Sequence, residues 1–242
     1  MKNYINDTTV TEAIILAGGL GTRLQAAIPG LPKCMAPVNG QPFLAYIMFY
    51  LQQQGIHRFI FSLGYMHEMV EEFLHHQLPQ KNYQAIVENN PLGTGGAIKL
   101  ACGKATGSNV IVVNGDTLFN VNLPALSMFH VSNKAECTVA LKPMKDVDRY
   151  GVVEINKDAS ILSFKEKQYY ASALINGGLY ALNVAAFLSK PLPEKFSFEK
   201  NYLEAYYNTT AMYGQVQDEY FIDIGIPEDY NRAQEELKYL FT

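Results

Sequence analysis

Short apolar runs alternate with helical patterns along the first half of the chain. The runs that predict strands are residues 13–17, 58–63, 84–87 and 110–113. Helical spacing predicts helices at residues 43–54, 66–77 and 97–101. Pro42 precedes the first helix and Gly55 follows it, as expected at helix ends. Alternating strands and helices indicate β-α-β units and a parallel sheet.

The pattern changes after Asp116, where strands come with few long helices. These later strands are predicted at residues 137–141, 151–155, 161–164 and 174–182. A final helix is predicted to begin at Pro227, with Glu228 and Asp229 in its first turn. With no linker or repeat in between, we predict one α/β domain over residues 1–242. It is expected to be a single-domain Rossmann-like three-layer sandwich with a mixed, mostly parallel central sheet.

A tyrosine-rich stretch precedes the last predicted helix and consists of Tyr202, Tyr206, Tyr207 and Tyr213. Buried packing is the preferred interpretation of these rings, and a homodimer contact is the alternative.

Composition narrows the functional classes. The chain has 242 residues, 48% of them hydrophobic, which is enough for a large core. A net charge of −4 argues against a nucleic-acid surface. No apolar run reaches membrane-spanning length and residues 1–11 show no signal-peptide core, so we expect no membrane partner and a cytoplasmic location. Cys34, Cys102 and Cys137 form no Cys-x-x-Cys pair, so packing is expected for all three.

A glycine-rich turn follows the first strand, with the sequence LAGGLGTRL over residues 16–24. Glycines let backbone N–H groups approach phosphate oxygens closely. The P-loop pattern is absent, and the dinucleotide pattern G-x-G-x-x-G fails because its last position is Leu24. Arg23 and Lys33 supply positive charge beside the turn. The sequence therefore predicts a phosphate-binding turn of another kind.

Further motifs follow the glycine-rich turn along the chain. LAGGLGTRL and PKCMAPVNGQP are followed in order by PLGTGGA, VVNGDT, DRYGVV, FKEK, LINGGLY and FIDIGIPEDY. Together they cover residues 12–234 and resemble the sugar-phosphate nucleotidyltransferases. The resemblance implies a GT-A-like fold with a nucleotide-binding half at about 12–116 and a sugar-phosphate-binding half at about 117–242. It also implies Mg²⁺-dependent transfer of a nucleoside monophosphate to a sugar 1-phosphate, with release of pyrophosphate.

The family motifs assign the residues that act on the phosphates. By resemblance, Arg23 and Lys33 stabilise the reacting phosphates and Lys167 holds the sugar phosphate. Asp116, at the end of a strand, and Asp223 would bind Mg²⁺, which takes one or two carboxylates in such sites. The residues expected to be catalytic are therefore Arg23, Lys33, Asp116 and Lys167.

The motifs also assign the two substrate sites. The positions expected to bind the nucleotide are Leu16, Ala17, Gly18, Gly19, Gly21, Thr22, Glu88, Pro91, Gly93, Thr94, Asn114 and Gly115. Residues 88–96 are predicted to be a loop facing the base, where Glu88 suits the two adjacent donors of guanine and favours GTP. The positions expected to bind the sugar phosphate are Tyr150, Gly151, Glu166, Lys167, Asn176 and Gly177.

Overall likeness within the family favours GTP and D-glycero-α-D-manno-heptose 1-phosphate, giving GDP-heptose for bacterial surface polysaccharide. The alternative pairs hexose 1-phosphate or N-acetylmuramate 1-phosphate with UTP, dTTP or GTP. A glycosyltransferase would usually carry Asp-x-Asp, but Asn114 replaces the first acid here. A silent nucleotide sensor would be expected to lose residues such as Arg23 and Lys167, which this chain retains.

Overall fold

The computed structural model describes residues 9–19, 21, 23–24, 28–165 and 168–238. The strands, in chain order, are β1 (Glu12–Ala17), β2 (Pro37–Val38), β3 (Gln41–Pro42), β4 (Arg58–Leu63), β5 (Tyr83–Val87), β6 (Asn109–Asn114), β7 (Thr117–Phe119), β8 (Cys137–Val147), β9 (Val152–Ile155), β10 (Ile161–Lys165), β11 (Tyr170–Asn183), β12 (Met212–Val216) and β13 (Phe221–Asp223). The helices are α1 (Phe43–Gln53), α2 (His67–Gln77), α3 (Gly93–Cys102), α4 (Leu123–Ser132), α5 (Val184–Leu188), α6 (Glu204–Tyr206) and α7 (Pro227–Glu236). A π-helical turn, Glu199–Leu203, leads directly into α6.

Nine strands form one mixed central sheet. Its main path runs β10-β9-β11-β6-β1-β4-β5, and β8 joins β11 to β12. The strands β6, β1, β4 and β5 pair in parallel, whereas β11 is antiparallel to β6, β8 and β9. Since β12 is parallel to β8 and β10 is antiparallel to β9, all strands except β10 and β11 point one way. The predicted mixed, mostly parallel sheet is confirmed.

The sheet separates two apolar clusters, which makes the domain a three-layer sandwich. Along β1, Ala13 and Ile15 belong to one cluster and Ile14 to the other. Along β6, Ile111 and Val113 likewise face away from Val110 and Val112. Side chains alternate between faces along a strand, and a parallel sheet covered on both faces is apolar at both sets of positions. This explains the continuous apolar runs in the sequence.

A small two-stranded ribbon outside the main sheet connects distant parts of the chain. In this ribbon β13 pairs antiparallel with β7, with Asp223 opposite Thr117 and Phe221 opposite Phe119. The rings of Phe119 and Phe221 pack edge to face with centroids 5.6 Å apart. The ribbon therefore brings Asp223 beside Asp116, which directly precedes β7.

Several predicted boundaries and elements need correction. Strand β8 continues to Val147 instead of ending at residue 141, and β11 begins at Tyr170 instead of residue 174. Residues 93–96 are not part of a loop, because α3 begins at Gly93. Helix α2 begins at His67, because Met66 adopts a left-handed conformation with φ of 52°. Helix α4 was missed although Asn122 caps it by accepting a hydrogen bond from the backbone N–H of Ala125 at 3.0 Å. The short strands β7, β12 and β13 were also missed.

The packing predictions agree with the structure for the three cysteines and for Tyr202, whereas Tyr206, Tyr207 and Tyr213 are only half-buried. Cys34, Cys102 and Cys137 are free and buried. Tyr202 is fully buried, with its ring centroid 4.8 Å from that of Phe187. In the part of the chain that the structure describes, no helix combines the length and apolar character needed to cross a membrane.

Candidate active site

Three charged side chains meet where β6 ends and the β7–β13 ribbon begins. Lys33, on a 3-10 turn, forms an ion pair with Asp116, and its Nζ lies 3.6 Å from Oδ1 of Asp223. The Lys33 side chain is 12% exposed, compared with 32% for Asp116 and 25% for Asp223. The arrangement is thus a half-buried pair of carboxylates that share one ammonium group.

The charge balance of this trio is incomplete. Burial, followed by repulsion from Asp116, raises the pKa of Asp223, although Lys33 and the backbone N–H of Gly225 act in the opposite direction. The Gly225 N–H donates to Asp223 Oδ1 at 2.7 Å, and the hydroxyl of Thr117 donates to Asp116 Oδ1 at 3.1 Å. The raised pKa means that burial and the neighbouring carboxylate together disfavour the charged form of Asp223 more than Lys33 and Gly225 favour it.

A cavity of about 620 Å³ opens on one side of the trio. We call it the N-half cavity, because every residue that lines it comes from positions 16 to 116. Its lining comprises Leu16, Gly18, Gly19, Ser62, Gly64, Tyr65, Glu88, Asn89, Pro91, Gly93, Thr94, Ala97, Asn114 and Asp116. These residues lie at or after the carboxyl ends of β1, β4, β5 and β6, the edge at which open α/β sheets bind ligands.

Glu88 is held in this cavity by two hydrogen bonds. Its Oε1 accepts from the hydroxyl of Ser62 at 3.0 Å, and its Oε2 accepts from the backbone N–H of Leu92 at 2.9 Å. An ionised carboxylate has about four acceptor positions, so each oxygen can still accept another hydrogen bond. The two contacts therefore fix the orientation of the carboxylate without exhausting it.

The glycines of α3 are packed against the chain that precedes the π-helical turn. A Cβ atom on Gly93 would lie 2.6 Å from the carbonyl oxygen of Phe196, and one on Gly95 would lie 2.1 Å from Cε2 of its ring. The backbone N–H of Gly95 donates to the Phe196 carbonyl at 3.0 Å. Close packing against residues 194–196 therefore requires glycine at these positions, independently of the nucleotide binding expected from the sequence.

A second cavity, of about 540 Å³, opens on the Asp223 side. We call it the C-half cavity, because most of its lining follows residue 116. Its lining comprises Arg23, Asn114, Thr117, Arg149, Tyr150, Gly151, Val152, Phe164, Lys165, Asn176, Gly177, Gly178, Tyr180, Ser197, Glu199, Lys200, Glu204, Phe221, Asp223, Gly225 and Ile226. Asn114 lines both cavities, so the two spaces adjoin beside the Lys33 trio.

A bulge in β11 shapes the floor of the C-half cavity. The register with β8 shifts between Asn176 and Tyr180, and Gly178 has a φ of +69°, a conformation that favours glycine. The Asn176 side chain accepts a hydrogen bond from the Gly178 N–H at 3.0 Å. A Cβ on Gly177 would lie 2.5 Å from the Phe119 ring. The bulge thus turns Asn176 and two backbone units into the cavity wall.

Arg149 brings a guanidinium group to the same cavity. It lies between β8 and β9, stacks over the Tyr150 ring at 5.4 Å and donates through Nη2 to Asp229 of α7 at 2.6 Å. Although partial burial acts to lower the pKa of Arg149, Asp229 and Tyr150 raise it. Arg149 is therefore a fixed positive charge in a cavity that also contains Arg23.

Two adjoining cavities around a paired carboxylate suit the joining of two anionic molecules. A family model described as Nucleotidyl transferase matches residues 12–239. The chain belongs to the nucleotidyl transferase family. This membership agrees with the resemblance seen in the sequence motifs.

Full-length relatives share substantial identity with this nucleotidyl transferase. A D-glycero-α-D-manno-heptose 1-phosphate guanylyltransferase of Aneurinibacillus thermoaerophilus is 50% identical, over 94% of this chain and 99% of the relative. A protein of the same name from Campylobacter jejuni is 42% identical, over 90% and 96%. The crystal structure of HddC from Yersinia pseudotuberculosis complexed with GMP-PN superposes with a TM-score of 0.83 at 38% identity, covering 95% of this chain and 100% of that one.

The structure groups most of the residues that the sequence analysis named in this nucleotidyl transferase. The expected nucleotide-site positions in the N-half cavity are Leu16, Gly18, Gly19, Glu88, Pro91, Gly93, Thr94 and Asn114. The expected sugar-site positions in the C-half cavity are Tyr150, Gly151, Asn176 and Gly177. Thr22, Glu166 and Lys167 lie outside the described residues.

Several expected residues lie elsewhere than anticipated. Arg23 lines the C-half cavity, on the side of Asp223. Ala17 is buried and Gly115 packs behind the wall, where its N–H donates to the Leu16 carbonyl at 2.9 Å. Gly21, with φ of +59°, lies against Lys33, and a Cβ there would be 2.8 Å from Lys33 Cβ. These three support the site without lining the cavity assigned to them.

The sequence analysis also missed residues that line the cavities. Ser62 lies near the end of β4, and Gly64 and Tyr65 follow that strand. The rule that ligands bind at the carboxyl ends of parallel strands was a signal that could have found all three. Arg149 was inside the DRYGVV segment, beside the named Tyr150. Lys200, on the π-helical turn, had no sequence signal that marks it.

Proposed function

We propose that the protein transfers GMP from GTP to D-glycero-α-D-manno-heptose 1-phosphate and releases pyrophosphate. The observation that carries the proposal is the pair of adjoining cavities that meet at Lys33, Asp116 and Asp223. The names of the relatives at 50% and 42% identity support guanine and heptose as the substrates. The GMP-PN complex of HddC further supports a guanine nucleotide.

The two halves of the chain divide the substrates between them in this proposal. The N-half cavity would take GTP, with the Gly18–Gly19 backbone near the phosphates and Glu88 accepting from N1 and N2 of guanine. The C-half cavity would take the sugar 1-phosphate, with Asn176 and the backbone of Gly151 and Gly177 facing hydroxyl groups. Neutral amides and backbone groups both donate and accept, as hydroxyl recognition requires.

The reaction joins the two substrates without a covalent enzyme intermediate. An oxygen of the sugar phosphate forms a bond to the α-phosphorus of GTP, and the bond from that phosphorus to the bridging oxygen breaks. The electron pair leaves with pyrophosphate, and the attacking phosphate oxygen carries no proton that a base must remove. Positioning and charge neutralisation then account for most of the catalysis. Among the described residues, Arg23 and Lys33 are the cations that we assign to neutralising charge on the reacting phosphates.

The residues of the trio fit a magnesium ion. Asp116 and Asp223 offer hard carboxylate oxygens, and the raised pKa of Asp223 indicates that added positive charge would be accepted there. Among the described residues no group of three His, Cys, Asp or Glu side chains could hold a metal. Mg²⁺ needs no such group, since phosphates and waters complete its shell. When bound, the ion would neutralise charge on the reacting phosphates.

The test is pyrophosphate release from a grid of GTP, UTP, dTTP, ATP and CTP against several sugar 1-phosphates, with Mg²⁺ present. We expect the highest kcat/KM with GTP and D-glycero-α-D-manno-heptose 1-phosphate. A different preferred pair would retain the reaction and refute the substrates, with hexose 1-phosphate or N-acetylmuramate 1-phosphate as the alternatives. Folded protein that is silent across the grid would refute the reaction.

A further inference from the structure

Arg149 is held in the wall of the C-half cavity by a residue of another element. The loop between β8 and β9 carries Arg149, whereas its partner Asp229 belongs to the first turn of α7. The Arg149 side chain is 36% exposed, so part of it faces the open cavity. A long side chain of this kind is mobile unless something restrains it, and the contact with Asp229 provides the restraint.

Asp229 divides its two oxygens between two arginines. Its side chain is 7% exposed, Oδ2 accepts from Arg149 at 2.6 Å, and Oδ1 pairs with Nη1 of Arg232 at 3.0 Å. Arg232 is not part of the cavity lining, so Asp229 links one guanidinium inside the cavity to one outside it. Arg149 Nε also lies 3.8 Å from Asp148 and Arg232 pairs with Glu236 at 3.2 Å, so this group has no excess of positive charge. Asp229 instead fixes the orientation of the one guanidinium of the group that lines the cavity.

The chemistry of guanidinium indicates which ligand Arg149 suits. An arginine has five N–H donors in a fixed plane. Nη2 of Arg149 donates to Asp229 and lies 3.5 Å from the Tyr150 hydroxyl, and Nε lies 3.8 Å from Asp148. The remaining donors match the spacing of phosphate oxygens, a match that an ammonium group does not provide. Asp223 lies in the same cavity, on the side where the two substrates would meet. A phosphate held by Arg149 would therefore be close to the reacting centre.

We propose that Arg149 binds the phosphate group of the sugar 1-phosphate, and that Asp229 is the positioning residue that orients it. This inference rests on the proposed function, because it assigns a residue to one substrate of that reaction. An acid in the first turn of a helix is ordinarily explained by its favourable interaction with the helix dipole. The proposal gives Asp229 a second role, in orienting Arg149.

The experiment compares R149Q, D229N and R232Q in the intact protein. KM is measured separately for D-glycero-α-D-manno-heptose 1-phosphate and for GTP, and thermal unfolding is recorded for each variant. We expect R149Q to raise KM for the sugar 1-phosphate about 10- to 100-fold, as for loss of a charged hydrogen bond, with KM for GTP almost unchanged. D229N should shift the same constant in the same direction. R232Q is the matched control, because it removes the other partner of Asp229 and should leave both constants unchanged.

Each outcome separates this inference from the proposed function. Wild-type protein that releases no pyrophosphate refutes the proposed function, whereas an active wild type with an unchanged sugar KM in R149Q overturns the role of Arg149. Equal increases in both KM values would indicate general damage and would also overturn it. If R149Q behaves as expected but folded D229N or R232Q does not, the positioning role of Asp229 is wrong.

A second sugar distinguishes phosphate binding from sugar recognition. Mannose 1-phosphate, used as a competitive inhibitor, shares the phosphate but lacks the seventh carbon. Its inhibition constant should rise in R149Q by the same factor as the KM for the heptose. An unchanged inhibition constant beside a raised KM would refute the assignment to phosphate.

Discussion

Replacing Gly95 by alanine tests whether the glycines of α3 are required by Phe196. The new methyl group would lie 2.1 Å from Cε2 and 2.3 Å from Cδ2 of the ring, far inside the ~3.5–4.0 Å of ordinary carbon contact. Phe196 is 5% exposed and its ring centroid lies 6.5 Å from that of Phe187. The ring therefore cannot turn away without disturbing the apolar cluster on its face of the sheet.

Two opposing terms set the magnitude of the effect. Overpacking in a filled core costs about 1–3 kcal/mol, while replacing glycine by alanine within a helix contributes up to about 1 kcal/mol in the favourable direction. We expect G95A to lower the free energy of unfolding by roughly 1–2 kcal/mol. In an F196A background the obstruction is gone, so the same substitution should be neutral or stabilising by up to about 1 kcal/mol.

Urea denaturation of wild type, G95A, F196A and the double variant measures these values as a double-mutant cycle. F196A alone should cost about 3–5 kcal/mol through the cavity that it leaves. G96A is the matched control, because a Cβ on Gly96 would lie 2.3 Å from the backbone carbonyl oxygen of Glu194, which F196A leaves in place. An equal cost of G95A in both backgrounds would refute the reasoning.

Three further substitutions probe the charges of the site and its support. A carboxyl whose pKa is raised by folding contributes stability below its unfolded pKa, and this contribution is lost as pH rises. In urea unfolding without metal, D223N should therefore gain stability relative to wild type as pH rises from 4 to 8, and a pH-independent difference would contradict this expectation. Turnover of D223N should fall about 100-fold or more. Buried Glu12 accepts from the N–H groups of residues 106 and 107 at 2.9 and 2.6 Å and pairs with Arg58; although burial raises its pKa, these bonds lower it. E12Q should therefore cost about 2–4 kcal/mol at pH 7, and less as pH falls through the folded-state pKa of Glu12; a cost that stays the same throughout an acid titration of the folded protein would argue against the carboxylate. E88Q should reduce the ratio of kcat/KM for GTP to that for UTP, because the amide offers a donor where guanine needs an acceptor, and an unchanged ratio would remove Glu88 from base recognition.

Local pattern was sufficient to predict the parallel half of the fold. Strand β4 lies at the predicted residues, and α1 ends one residue before its predicted end. Both are long apolar segments with turn residues beside them, so local pattern and tertiary packing agree. Helix α3 was predicted too short because the glycines at its start disfavour helix. These glycines are required by close packing against Phe196, a residue too far along the chain for a local sequence pattern to include.

The site shows the same division between local and distant information. The glycine-rich turn and Asp116 were predicted from their chemistry and their positions after strands, whereas Tyr150 was predicted only through the resemblance to the family. That Lys33 lies between Asp116 and Asp223 follows from the pairing of β7 with β13, each of which has three residues. The pairing of Arg149 with Asp229 joins two segments far apart in the chain. Such meetings are set by topology, and a single sequence does not reveal them.

The β7–β13 ribbon also determines when the site can exist during synthesis. A nascent chain that has emerged as far as β11 holds Asp116 and most of the central sheet, but neither Asp223 nor β12, the parallel neighbour of β8. Segments synthesised after β11 therefore complete both the carboxylate pair and one edge of the sheet. A chain that ends before β13 lacks one of the two carboxylates that face Lys33, because Asp223 reaches Asp116 only through the pairing of β13 with β7.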